Sequence, residues 1–367
     1  MQKIIAFFKH ETVLAIALLA ALASMCIVPP DAAYASYIDF DVLMLLFSLM
    51  AVVGGLKRCG VMDRICDALI HRASSARMLC MLLSGACFFS AMLVTNDVAL
   101  ITFVPLTCAL LASLPRELIF TVTIETIAAN LGSMATPIGN PQNLYLYSRY
   151  SMPIGSFLAA VGPLTLVSFV LTLLSCLLVK KTPLTASAQE KKAALPALAL
   201  IIHGVQFVLC IMSVLGVMPK WVSFLAVLLS TLVYCPKLVR EVDYALLVTF
   251  VCFFVFVGNL GRIEAVSNLL SSVIAGRTLE TGILASQVIS NVPAALMLSG
   301  FTGEAFELLR GVNLGGLGTL VASLASLISF KLYAKAPGAK TGKYLAVFTI
   351  INVVFLAVLY VLAKLGV

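Results

Sequence analysis

The chain has 367 residues, of which 62% are hydrophobic and only 11% are charged, and its mean hydropathy is +1.10. A soluble domain carries roughly 25% charged residues, so this composition excludes a soluble globular protein and indicates one that lies in a lipid bilayer. The formal net charge of +8 comes from basic residues at the ends of apolar segments. That distribution is typical of cytoplasmic loops, and it argues against a nucleic-acid partner.

The first predicted helix, residues 13–27, follows Lys3 and Lys9, which places the amino terminus in the cytoplasm. Two small residues, Ala33 and Ala35, imitate the cleavage site of a secretory signal. The prolines and the acidic residue after this helix recur before a helix of the second half, so we predict that the first helix is retained as a membrane span.

A polar interruption, Thr95-Asn96-Asp97, lies between two apolar arms in the segment 77–116. Both ends of this segment are basic, which predicts a re-entrant hairpin that opens to the cytoplasm with its tip near the middle of the membrane. Backbone that stops being helical at this depth persists only where protein, ions or a water-filled cavity replace lipid. The tip is therefore a candidate binding site.

The next segment, 116–149, is too long for one ordinary crossing. As a continuous helix it would measure roughly 50 Å, against a hydrocarbon core of about 30 Å. Its middle combines two prolines, a glycine and several amides, a composition that stops helices. We predict a broken transmembrane helix with its break at 132–143.

Two halves are predicted on either side of a short basic linker. The first half is 1–180, the cytoplasmic linker is 181–195, and a linking transmembrane helix covers 196–218. The second half, 219–367, repeats the plan of the first.

The second half contains its own hairpin, 279–301, and its own broken helix, 310–335. The hairpin tip is Ser290-Asn291, followed two residues later by Pro293. Basic residues at the cytoplasmic ends of the neighbouring segments predict that this hairpin opens outward, opposite to the first.

A matching stretch supports internal duplication: 130–136 (NLGSMAT) corresponds to 313–319 (NLGGLGT). The order of elements is the same in both halves, and their predicted orientations are opposite. The sequence therefore predicts an all-α polytopic membrane protein with inverted-topology repeats, each with a re-entrant hairpin and a broken transmembrane helix, in the inner (cytoplasmic) membrane.

The chemistry of the two tips suits ions. Asn and Thr oxygens and freed carbonyls are ligands for a hard cation such as sodium, while the amino ends of half-helices attract an anion. Asp97 carries a proton, binds the coupling cation or caps the returning arm, and the sequence leaves these three roles open. Glu125, the other deeply placed acid, is either a second proton carrier or the partner of an interhelical hydrogen bond.

The sequence lacks the motifs that are typical of enzymes and of ATP-driven pumps. No HExxH, GxSxG or GxxxxGK[ST] pattern is present, so neither a membrane-embedded enzyme nor an ATP-driven pump is expected. The cysteines and the three histidines show no metal-ligand spacing, and no cofactor is expected beyond a coupling Na⁺ or H⁺. A channel also uses re-entrant loops, but two inverted hairpins favour a carrier.

The chain resembles the ion transporter superfamily of divalent-anion/sodium symporters, citrate-type permeases and arsenite permeases. Thr95-Asn96-Asp97 and Ser290-Asn291 are similar to the Ser-Asn-Thr hairpin motifs of that family, and residues 136–143 are similar to its unwound loop. Asp97 departs from the pattern. A carboxylate there disfavours a dianion unless it is protonated or neutralised, and it favours proton coupling, an arsenite-like substrate or cation antiport.

The resemblance implies one cation site at the first tip and Gly139, and a second at Ser290, Asn291 and the loop from Thr319 to Ala322. It implies a substrate site between them, lined by Asn96, Thr136, Pro137, Asn140, Asn143, Asn291, Pro293 and Thr319, and it is compatible with a homodimer. We therefore predict a secondary transporter of a small anion, a di- or tricarboxylate or an inorganic oxyanion, coupled to sodium or protons. The alternatives are a sodium/proton antiporter and an arsenite-type efflux permease.

Overall fold

The computed structural model describes residues 11–184 and 195–366 and contains no β-strand among them. The predicted all-α class is confirmed for this part of the chain. Lys3 and Lys9, on which the predicted orientation depends, lie outside the described residues, as does most of the linker predicted at 181–195.

The helices of the first half are α1 (Thr12–Ile27), α2 (Tyr34–Tyr37), α3 (Phe40–Arg58), α4 (Val61–Ile70), α5 (Ala76–Val94), α6 (Asn96–Leu110), α7 (Pro115–Ser133), α8 (Pro141–Arg149) and α9 (Ile154–Cys176).

The helices after the linker are α10 (Ala197–Val214), α11 (Lys220–Tyr234), α12 (Tyr244–Arg262), α13 (Glu264–Ile274), α14 (Thr278–Ile289), α15 (Asn291–Leu298), α16 (Ala305–Leu314), α17 (Leu324–Ala334) and α18 (Thr341–Lys364). Two 3₁₀ turns, Pro236–Glu241 and Leu320–Ala322, complete this half.

Six of these helices are long and apolar enough to cross a membrane: α3, α5, α9, α10, α12 and α18. Four shorter apolar helices accompany them: α1, α6, α11 and α17. Large apolar side chains such as Leu166 and Leu229 are more than half exposed, as expected where lipid replaces water. The polytopic membrane fold that the sequence predicts is confirmed.

Each hairpin is a pair of packed helices that meet at a single non-helical residue. Thr95 separates α5 from α6, and Ser290 separates α14 from α15. The arms of the second hairpin are shorter than those of the first.

Each broken helix has an irregular loop between two helical pieces. Between α7 and α8 the chain runs through 134–140, and between α16 and α17 through 315–323. Asn140 begins α8 because its side-chain Oδ1 accepts a hydrogen bond from the Asn143 N–H at 2.8 Å, and Pro141 has no N–H that would need a partner.

Glycine allows the broken helix to lie against the hairpin. A Cβ atom on Gly132, in α7, would lie 2.2 Å from the carbonyl oxygen of Phe88 in α5. Only glycine permits this close approach of the two helix backbones, and α7 therefore runs directly along the first arm of the hairpin.

A second group of helices surrounds this hairpin core. Helix α3 packs against α10 and α11, and α12 packs against α1. Asp39 and Asp243 cap the amino ends of α3 and α12 in the same way, with Oδ1 accepting from the N–H three residues later at 3.0 and 2.9 Å.

Candidate functional site

The two hairpin tips share one unusual backbone conformation. Thr95 has φ 73° and ψ 152°, and Ser290 has φ 74° and ψ 155°. This region is populated almost only by glycine and costs another residue about 1–3 kcal/mol. Each tip is thus held in place by its surroundings, and a helix begins immediately after it.

The first tip lies against the loop of the first broken helix. The N–H of Asn96 donates to the carbonyl of Gly139 at 3.3 Å, and the Thr136 hydroxyl donates to the carbonyl of Met92, in the last turn of α5, at 2.5 Å. Gly139 is required because a Cβ there would lie 2.2 Å from the Ser133 carbonyl oxygen. The structure therefore brings the predicted residues of the first tip and of this loop together.

The second tip lies against the loop of the second broken helix. The Ser290 hydroxyl donates to the carbonyl of Ala322 at 3.4 Å. Thr319 is exposed, and its N–H and hydroxyl donate to the side-chain and main-chain oxygens of Gln287 at 2.9 and 3.2 Å. Pro293 is buried in the first turn of α15. These predicted residues are also neighbours, with Gln287 between them.

Asn130, in α7, connects the first tip to the second loop. Its Oδ1 accepts from Asn96 Nδ2 at 3.2 Å and from the Ser323 hydroxyl at 3.0 Å, while its Nδ2 lies 3.4 Å from the Gly316 carbonyl oxygen. Gly316 in turn lies against Asn291, whose Nδ2 would be 2.9 Å from a Cβ at that glycine. A continuous line of buried polar groups thus runs from one tip to the other.

Asn313, in α16, makes the corresponding connection to the first loop. Its Nδ2 donates to Asn143 Oδ1 at 2.7 Å, and its Oδ1 accepts from Asn140 Nδ2 at 3.1 Å. Asn143 also donates to the carbonyls of Ser133 and Thr136 at 3.2 and 3.0 Å. Both predicted amides therefore hold the loop together in this conformation.

Three residues of this arrangement were missed as site residues: Asn130, Asn313 and Gln287. A signal was present for two of them, since Asn130 and Asn313 stand first in the matching stretches NLGSMAT and NLGGLGT. The sequence did not reveal that each asparagine would reach the loop of the other half. Gln287 lies one turn before the second tip and carried no comparable signal.

A cavity of about 620 Å³ lies between α3 and the first tip. Of the predicted site residues, Thr95, Asp97 and Asn140 line it, whereas the residues of the second tip do not. Its wall also includes five charged side chains: Lys57, Arg58, Asp97, Glu241 and Asp243. Arg58 forms an ion pair with Glu241 at the rim.

Asp97 points its carboxylate toward this cavity. Its N–H donates to Asn96 Oδ1 at 3.0 Å, but the carboxylate has no hydrogen bond or ion pair with any residue of 11–184 or 195–366. The side chain is only partly buried. A proton, a cation or a solute in the cavity can therefore reach it.

Glu125, the second predicted proton carrier, has different surroundings. It is fully buried in α7, and its Oε1 accepts from the Thr107 hydroxyl at 2.5 Å. Its Oε2 has no partner in the described part of the chain. The two acids therefore differ in access to the cavity, because Asp97 lines it and Glu125 does not.

The ligands available for a hard cation at the tips are backbone, hydroxyl and amide oxygens, together with the Asp97 carboxylate at the first tip. Residues 11–184 and 195–366 contain no group of three or more His, Cys, Asp or Glu side chains that would hold a metal ion.

Comparison with known proteins supplies the family. Residues 2–305 match the family described as citrate transporter. The chain belongs to the citrate transporter family. This confirms the resemblance drawn from the hairpin and loop motifs, and it makes the protein a multi-pass membrane transporter.

Two of the relatives of this citrate transporter family member are named as transporters and one as an inner membrane protein. The chain is 32% identical to an uncharacterized transporter of Methanocaldococcus jannaschii, over 89% of this chain and 90% of that protein. It is 31% identical to the inner membrane protein YbiR of Escherichia coli, over 80% of each chain. A shorter match, 34% identical over 41% of this chain and 31% of the relative, is to the silicon efflux transporter LSI3 of Oryza sativa.

Proposed function

We propose that this citrate transporter family member is a secondary active transporter of the inner membrane, which moves a small oxygen-rich solute with sodium or protons. The solute and its coupling ion bind at the two hairpin tips and the loops that face them. The observation that carries this proposal is the shared φ and ψ of Thr95 and Ser290, each held against a broken-helix loop.

In this proposal the site is exposed to one side of the membrane at a time, by alternating access between two inverted repeats. The equal backbone of the two tips, the equal caps at Asp39 and Asp243, and the matched positions of Asn130 and Asn313 support two related halves. The cavity reaches the first tip from the side of Lys57 and Arg58. Since basic residues mark the cytoplasmic side, this conformation is open to the cytoplasm.

The charges of the cavity favour a solute that is neutral when it binds. Three carboxylates of the cavity wall outnumber its two bases, Lys57 and Arg58. Arg58 is paired with Glu241, and no basic side chain of the described residues forms an ion pair with Asp97. A unit negative charge about 4 Å away would be repelled by about 4 kcal/mol at an effective dielectric constant of 20. A hydroxylated weak acid in its neutral form, such as arsenious or silicic acid, escapes this repulsion, and the name of the rice relative supports efflux of such a solute.

A second candidate is symport of a di- or tricarboxylate or of an inorganic oxyanion. The description of the family supports it, and the amino ends of α6 and α15 at the tips offer N–H groups and a positive dipole end to an anion. In this case Asp97 is protonated or holds the coupling cation, so that its charge is neutralised before the anion binds.

Transport by purified protein in liposomes separates these candidates. Arsenite, silicic acid, citrate, succinate and sulfate are tested one at a time under an imposed sodium gradient and an imposed proton gradient. We expect one solute class to move and only one of the gradients to drive it. Release of internal protons by sodium, without movement of any solute, would instead identify a sodium/proton antiporter, and the absence of any gradient-driven flux would contradict the proposal.

A further inference from the structure

Glu125 lies in a part of the membrane core that contains no compensating charge. Its side chain is 0% exposed, and no salt bridge reaches it within the described residues. Thr107 supplies the only hydrogen bond that Glu125 receives from the described residues. A bare carboxylate in such a place is strongly disfavoured, because a buried charge without a partner costs several kcal/mol.

Two buried oxygens on one face of α7 have no partner among the described residues: Glu125 Oε2 and Thr121 Oγ1. The two residues are four apart on the helix, and a hydroxyl can donate to a carboxylate, but these two oxygens make no hydrogen bond to each other. Within the described residues, Oε2 therefore has no donor that would stabilise a negative charge on it.

The groups that face Glu125 from the neighbouring helices do not change this conclusion. They are the thiols of Cys80 and Cys87 in α5, Cys108 in α6 and Cys176 in α9, and the phenol of Tyr344 in α18. Helices α16 and α17 add no charged group to the set within the described residues. None of these side chains carries a positive charge, so none stabilises an ionised Glu125.

The position of Glu125 connects it to the first hairpin. Thr107 belongs to α6, the arm that begins at the tip with Asn96. Asn96 is bonded to Asn130 of α7, and Thr107 is bonded to Glu125 of the same helix. These two bonds fix the arm to α7 at two levels, one at the tip and one deep in the core.

We propose that Glu125 keeps its proton throughout the transport cycle and acts as a positioning residue that holds arm α6 in register with α7. The function of the tip that it positions rests on the transport mechanism proposed above. Asp97, which faces the cavity and has no partner among the described residues, is then the acid that exchanges protons. Of the two predicted proton carriers, Asp97 releases and takes up its proton, and Glu125 retains its own.

Infrared spectroscopy of the protein in lipid tests the retained proton without requiring transport. The wild-type spectrum should contain the carbonyl stretch of a protonated carboxylic acid that is absent from Glu125→Gln. This band should persist from weakly acidic to weakly alkaline buffer, with or without sodium. A band that disappears as the pH rises, that appears only when sodium is removed, or that Glu125→Gln does not remove would overturn the proposal.

Transport by three variants tests the positioning role. Glu125→Gln is the neutral isostere, so its rate should stay within about twofold of wild type with the same pH profile. Thr107→Val removes the hydrogen bond between α6 and Glu125 and should lower the transport rate about tenfold. Thr107→Ser keeps the hydroxyl and should restore the wild-type rate. If Glu125→Gln abolishes proton-driven transport or changes the pH profile, Glu125 titrates during the cycle and the proposal is wrong.

If no solute moves at all while the infrared band is present, the transport proposal fails and the retained proton stands.

Discussion

Thr95 and Ser290 adopt the same left-handed backbone conformation, within 3° in both φ and ψ, although they belong to different halves of the chain. Neither is glycine, so each position stores conformational strain. Such strain persists where the surroundings determine the backbone more strongly than the residue does, and it concentrates at ligand sites and switches. Its occurrence at both tips is what the proposed function expects of two equivalent binding elements.

Replacing Thr95 by glycine should stabilise the protein. The strain of about 1–3 kcal/mol is relieved, part of the gain is offset by the greater freedom of glycine in the unfolded chain, and the Thr95 side chain makes no hydrogen bond within the described residues. We expect a net gain of about 1 kcal/mol, measured by thermal unfolding in detergent. Thr102→Gly, in the interior of α6, is the control and should lose a few tenths of a kcal/mol (about 0.3) through helix propensity. Equal destabilisation by both variants would show that Thr95 is not strained.

Asn130→Ala should disconnect the two tips. It removes the partner of Asn96 and Ser323, which are both buried, and each orphaned polar group costs about 1–3 kcal/mol. We expect a loss of about 2–4 kcal/mol in unfolding free energy together with a loss of transport.

Asn352→Ala provides a matched control for this substitution. Asn352 is also fully buried, but among the described residues its side chain bonds only to the Phe348 carbonyl of its own helix, and its Oδ1 has no partner there. Its loss should cost less than about 1 kcal/mol and leave transport intact. A similar effect of the two substitutions would argue against a special role for Asn130.

Asp97→Asn should flatten the pH dependence of transport. The amide cannot take up a proton, so a rate that rises or falls with the protonation of Asp97 becomes insensitive to pH in the variant. Initial rates across a pH series in liposomes measure this. Asp243→Asn is the control, since Asp243 lines the same cavity but caps α12. Its profile should keep a pH dependence like that of the wild type, displaced toward lower pH because a neighbouring negative charge is lost. An unchanged profile in Asp97→Asn would leave helix capping as the role of Asp97.

Gly139→Ala should prevent formation of the first loop. The added Cβ would lie 2.2 Å from the backbone oxygen of Ser133, and backbone cannot move aside as the end of a flexible side chain can. We expect little folded protein by size-exclusion chromatography. Gly162→Ala, in α9, meets nothing within 4 Å and should fold normally, with a gain of a few tenths of a kcal/mol to about 1 kcal/mol from helix propensity. Normal yield and transport of Gly139→Ala would contradict the close packing at this loop.

The sequence predicted the class of the fold because apolar runs and basic flanks are local features. The places where helices stop, such as Thr95 and Ser290, were visible for the same reason: a polar residue inside an apolar run has few structural roles in a membrane. The partners of those residues were not visible. Asn130 bonds to Ser323, far away along the chain, and nothing local to Asn130 encodes that contact.

The different surroundings of the two acids also required the structure. Asp97 follows the polar residues Thr95 and Asn96, and Glu125 follows Ile124. Both acids lie in segments predicted to enter the membrane, and no local pattern distinguishes an accessible acid from an enclosed one there. That distinction depends on which side of α7 faces the arms of the hairpin and on where α3 leaves a cavity, both of which are set by tertiary packing.

The most direct test of the central claim is solute counterflow in liposomes by wild-type protein, Asn96→Ala and Asn291→Ala, with Asn352→Ala as the folding-matched control. Counterflow needs a carrier whose loaded site changes sides, and it needs no assumption about the driving ion. We predict saturable counterflow by the wild type and the control, and its loss in both tip variants while they remain folded. Wild-type counterflow in both tip variants, or flux that does not saturate, would show that the hairpin tips are not the transport site.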